Sequence, residues 1–208
     1  MSPHEYNILR RVWRWLRQIR HRCGYGVHSP LAFQFITDVV YNSAAYYAYA
    51  TLRQPLEPSI TRCDEYDPAS GLAAKDLRLL FRLANYQQPT TFVLQGASAI
   101  IESYLRAARR AARIEPLRPE APLHSEATVM VYLDSCRPSD CEAALQQLAA
   151  ATEGMIVVRG IHNDASARQC WHALQQHPAV TLTFDLGRLG VILRRDKINR
   201  QHYIVNYF

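Results

Sequence analysis

Thr91-Phe92-Val93-Leu94-Gln95-Gly96-Ala97-Ser98 is the stretch on which the fold turns. Residues 91–94 form a short β-branched and aromatic run, which reads as a strand. Gly96 breaks it, and an alanine- and arginine-rich helical run over 97–113 follows. The same grammar then repeats. Residues 128–133 read as a strand and 138–151 as a helix. Residues 155–158 read as a strand and 164–177 as a helix with Asp164 at its N-cap. Residues 180–186 alternate as a strand, 187–190 turn the chain, 191–194 return as the second arm of a hairpin, and 202–206 add a last short strand. Between them, 114–126 holds three prolines and reads as irregular. Strand–helix alternation predicts a mostly parallel, Rossmann-like sheet with helices on both faces and a closing antiparallel hairpin. Ligands of such folds sit beyond the carboxyl ends of the strands.

Working upstream, residues 73–86 carry Leu77, Leu80, Phe81 and Ala84 at helical spacing. Residues 55–71, with three prolines and several acids, read as a loop. Residues 43–54 read as helical, and Tyr41, Tyr46, Tyr47 and Tyr49 either pack or line a cleft. Ser29 and Pro30 supply an N-cap and first-turn residue for a helix running to about residue 41. Residues 5–21 form another helix, with Ile8, Val12 and Ile19 on an apolar stripe and Arg10, Arg14 and Arg17 on other faces. Residues 1–71 are thus an N-terminal helical extension and 72–208 the α/β domain.

Charge is concentrated at one end. Residues 1–30 hold six arginines against a single acid, Glu5, which is most of the net charge of +6. Attraction for anions is therefore expected there, with Arg10, Arg14 and Arg17 as candidate contacts to nucleic acid or an anionic surface. No unbroken apolar stretch reaches a bilayer-spanning length and arginines interrupt the apolar runs before Arg22, so a cytoplasmic protein without a signal peptide is expected. Cys23, Cys63, Cys136, Cys141 and Cys170 are scattered without a CxxC pair. They read as free thiols, with no metal set among them.

Several motifs in this order resemble the class I S-adenosylmethionine-dependent methyltransferases, in a Bacteroidetes-type form. They are the arginine-rich segment 10–22, GYGVHSP at 24–30, LRLLFRLANYQQP at 77–89, VYLD at 131–134, Ile161-His162, and HPAVTLTFDLGRLGVIL at 177–193. The resemblance spans nearly the whole chain. It implies S-adenosylmethionine as cofactor, cofactor-binding positions at Gln95, Gly96, Ala97, Ser98 and Asp134, and His28, Asp134 and His162 as candidates for chemistry. Asp134 reads either as a site residue or as the cap of the helix that follows, and His28 either as an acid–base group or as a turn histidine.

The departures from that pattern matter more. Family members end the first strand in an acid and a glycine-rich turn. Here Gln95 replaces the acid, and Ala99 and Ile100 add side chains where bare backbone is wanted. An amide cannot pair with the cofactor's ammonium as a carboxylate would. The segment between Ser98 and Thr128 is too short for the family's second strand, helix and third strand, leaving residues 114–115 as a remnant and Glu115 as a candidate ribose acid. After the next strand Arg159-Gly160 stands where related O-methyltransferases place metal-binding acids, which argues against Mg²⁺ or Ca²⁺. The expectation is a methyltransferase-like protein with weakened or lost cofactor binding and a scaffold or binding role. The alternatives are a working methyltransferase of unknown small-molecule or macromolecular substrate, and an anion- or nucleic-acid-binding module.

Overall fold

The computed structural model describes residues 27, 29–52, 70–119, 128–195 and 198–207. Within them, alternation along each strand sorts side chains onto two faces. Phe92 and Leu94 of β1 (Thr91–Gln95), Met130 and Tyr132 of β3 (Thr128–Leu133), and Met155 and Val157 of β4 (Glu153–Arg159) enter one core. Val93, Val129, Val131, Ile156 and Val158 enter the other.

Helices cover both faces. The first core is closed by α1 (Pro30–Phe35), α3 (Ala74–Gln87) and α4 (Ala99–Ala108), and α2 (Ala48–Leu52) adds Leu52 to it. The second is closed by α5 (Pro138–Ala150) and α6 (Ala165–Gln176), with Trp171 buried in it. The sheet is completed by β2 (Arg113–Pro116), β5 (Leu182–Asp185), β6 (Leu189–Arg194) and β7 (Gln201–Ile204), in the order β2-β1-β3-β4-β6-β5-β7. Only β6 runs against its neighbours β4 and β5; the other pairings are parallel. This is the mostly parallel α/β architecture with a C-terminal antiparallel hairpin that the alternation predicts.

Local signals hold in most places. The Ser29 hydroxyl accepts from Ala32 N at 3.4 Å and Pro30 opens α1. Asp164 caps α6 by accepting from Ala167 N at 2.7 Å. Helix α1 runs on as a π-helical turn, Ile36–Val40, whose last carbonyls are met by the buried Arg82 (Nε to Val39 O 2.7 Å, Nη2 to Val40 O 3.1 Å).

Three expectations need correction. The helix expected over 97–113 stops at Ala108, because the chain turns through residues 109–112 to lay down β2 beside β1. Part of the irregular stretch 114–126 is accordingly strand. The helix expected over 43–54 is confined to Ala48–Leu52: Asn42 Oδ1 accepts from Ala44 N at 2.7 Å, which diverts the backbone before a helix can start. Of the four tyrosines, Tyr46 and Tyr49 pack edge-on against each other and Phe81, whereas Tyr47 is 99% exposed. The helix expected over 5–21, with Arg10, Arg14 and Arg17, lies outside the described residues, as does the loop over 55–69.

No helix among the described residues is long and apolar enough to cross a membrane.

Candidate functional site

The strand order locates the site. From β1 the chain goes to β2 on one side and then crosses to β3 on the other. The carboxyl ends of β1 and β3 therefore flank the topological switch point, where doubly wound sheets leave a crevice. Gln95 and Gly96 stand at one lip and Asp134 at the other.

These lips are joined. The Asp134 N–H donates both to the Gln95 carbonyl at 3.0 Å and to Gln95 Oε1 at 3.2 Å. Gly96 has φ +68°, and a Cβ there would lie 2.9 Å from the Asp134 Cβ. Its missing side chain is thus used to let Asp134 close on the β1 tip.

The Asp134 carboxylate is also taken. Tyr132 donates its phenol to Oδ1 at 2.9 Å, and Arg159 Nη1 donates to the same oxygen at 2.8 Å. Arg159 reaches further: Nη1 donates to Ser70 O at 2.7 Å and Nη2 to Gly71 O at 3.0 Å. One guanidinium thereby ties the tips of β3 and β4 to the segment entering α3. Gly71, at φ +62°, makes room for it, since a Cβ there would sit 2.6 Å from Arg159 Nη2. Burial opposes charge on Arg159, but the bond and attraction to Asp134 more than offset it and raise its pKa. Burial, and then the Asp134 charge, push the Tyr132 phenol up, so it stays a donor.

The polar layer continues along the strand ends. Asp76, in the first turn of α3 and 1% exposed, lies 3.6 Å from Arg188 Nη1 in the β5–β6 turn. His162 Nε2 lies 2.7 Å from Asp185 Oδ2 at the end of β5, while Asp185 Oδ1 accepts from Gly187 N at 2.8 Å. His162 thus bridges the segment after β4 to β5, with its side chain about one-third exposed.

An adenosyl cofactor would need bare backbone at the β1 turn and carboxylates for its ammonium and ribose. The residues present do not fit it. Gln95 spends its amide oxygen on the Asp134 backbone, the side-chain direction of Gly96 faces the Asp134 Cβ, and Asp134 carries Arg159. Ala97 is half-buried against the first core. Ser98 precedes α4 without capping it, and its buried hydroxyl has no partner among the described residues. Glu115 pairs in register with Val93, two residues before the tip residue Gln95, and is the penultimate residue of β2.

Asp134 is not the cap of α5 either. That position belongs to Arg137, which makes no side-chain capping bond. His28 lies outside the described residues.

Comparison with known proteins adds a structural likeness. The chain is similar to a solved methyltransferase. That structure is the O-methyltransferase TomG from Streptomyces achromogenes, involved in tomaymycin synthesis, in complex with S-adenosylmethionine. The identity is 14%, the TM-score 0.46, and the match covers 78% of this chain and 96% of that one. No protein-family model matches the chain, and no curated protein matches it. At that degree of overlap the reading of the site rests on its own residues.

One grouping escaped the sequence reading. Cys136, Cys141 and Cys170 are buried together, all three sulfurs within 4.8 Å of one another. Cys136 and Cys141 flank the start of α5, and only the packing of α6 brings in Cys170. The x₄ spacing of the first two was the signal available, and without the third partner it points nowhere.

Proposed function

We propose that this chain is a methyltransferase-like protein whose cofactor crevice has become a structural latch, and that it works by binding a partner rather than by transferring methyl groups. The observation that carries this reading is Arg159: it bonds the Asp134 carboxylate and the carbonyls of Ser70 and Gly71 at once. A carboxylate so paired is unavailable to an ammonium or to a divalent cation, because either would have to displace a bonded guanidinium of like charge. The amide at Gln95 supports the same reading, since it stands where a carboxylate would pair with the cofactor's ammonium.

Titration calorimetry of the full chain with S-adenosylmethionine and with S-adenosylhomocysteine tests it. The expected result is no saturable binding in the micromolar range. Micromolar binding of either compound would overturn the proposal and restore the working methyltransferase as the better account.

A further inference from the structure

The cysteine cluster lies on the opposite side of the sheet from α3, under α5 and α6, and takes no part in the latch. Its three members come from three places: the loop after β3 (Cys136), the first turn of α5 (Cys141) and the second turn of α6 (Cys170). They are 7%, 3% and 7% exposed. The sulfurs of Cys136 and Cys141 are 3.9 Å apart. Thiolates about 2.3 Å from a tetrahedral zinc ion are separated by roughly 3.8 Å. The cluster is therefore spaced for a shared metal with little rearrangement.

Two plainer accounts fit less well. Cysteine can serve as a small apolar filler, yet every cysteine among the described residues is in this one cluster, drawn from separate elements. A disulfide needs two sulfurs about 2.05 Å apart and leaves a third thiol without a role. Three sulfurs around one point are what a thiophilic ion requires.

We infer that Cys136, Cys141 and Cys170 form a three-thiolate site for a soft closed-shell cation such as Zn²⁺, clamping α5 to α6. Cys141 and Cys170 also wall a groove of about 420 Å³ between the two helices, beside Glu142 and His177. That groove gives an ion a way in from solvent and room for a fourth ligand. Binding releases the thiol protons to solvent as the thiolates engage the metal.

The test is titration of the reduced, metal-free full chain with Co²⁺, followed by displacement with Zn²⁺. One equivalent of Co²⁺ is expected to give the near-ultraviolet thiolate-to-metal band and the visible bands of a tetrahedral site, both abolished by Zn²⁺. Cys170→Ala and Cys141→Ser should each lower the affinity about tenfold or more, with the Cys170→Ala protein shown to be folded by its circular dichroism. The double variant Cys23→Ser/Cys63→Ser should leave the bands unchanged. Absence of a thiolate band in the folded parent, bands that survive Cys170→Ala, or bands lost in the Cys23/Cys63 variant would each overturn the assignment.

Discussion

Arg159 Nη1 lies 2.8 Å from Asp134 Oδ1, and the two residues sit at the ends of adjacent parallel strands in the crevice where this kind of sheet receives its ligands. The pair acts as a fastening between the two strand ends. Its parts are 27% and 33% exposed, so solvent weakens the Coulomb attraction, and much of its worth lies in the added bonds to Ser70 and Gly71.

A double-mutant cycle should show this. Arg159→Met and Asp134→Asn are each expected to cost roughly 1–2 kcal/mol in urea unfolding, with a coupling of about 1 kcal/mol between them. Strict additivity of the two losses would mean the pair does not act as a unit.

Gly96→Ala strains a left-handed residue, at about 1–2 kcal/mol, and drives a methyl into the Asp134 Cβ. Stability should fall by that amount or more. In addition, the amide resonances of Asp134 and Gln95 should shift, since the Asp134 N–H donates to the Gln95 carbonyl and to its side-chain oxygen. A variant as stable as the parent with those resonances unmoved would contradict the close approach.

Asp76 provides a pH signature. Burial raises its pKa above the ordinary 3.8, against the opposing pull of Arg188, Lys75, the Ala73 backbone and Arg159. A carboxyl whose folded pKa is raised contributes stability that is present in acid and lost as pH climbs from the unfolded value through the folded one. Asp76→Asn removes that loss. The Tm of the variant relative to the parent should therefore rise as pH increases from about 4 towards neutrality. A difference that stays flat or shrinks over that range would refute the assignment.

Arg82 tests the N-terminal side of the domain independently of the crevice. Its guanidinium is buried and satisfies the Val39 and Val40 carbonyls at the π-helical turn. Arg82→Met should cost about 2–3 kcal/mol in thermal unfolding by leaving those carbonyls unpaired, while the Arg159–Asp134 coupling measured above is unchanged.

Much of this architecture was legible in the residues themselves. The β-branched run at 128–133 and the Asp164 cap each gave an element within a residue or two of its place, because local sterics and a single side-chain bond decide them. The short strand β2 was not legible as more than a remnant: its four residues, Arg113 to Pro116, have little apolar pattern of their own and become strand only by pairing with β1. At the site, the amide at Gln95 and the positive charge at Arg159 were readable one at a time. That the second answers Asp134 and holds the Gly71 carbonyl was not, since it joins residues 25 and 88 apart in sequence. The three cysteines were invisible for the same reason.

Diffraction from crystals soaked in a high concentration of S-adenosylhomocysteine addresses the central claim most directly. The account predicts Arg159 still bonded to Asp134, with no adenosyl density between the β1 and β3 tips. An adenosyl group seated against Gly96, with Arg159 swung away from Asp134, would contradict it.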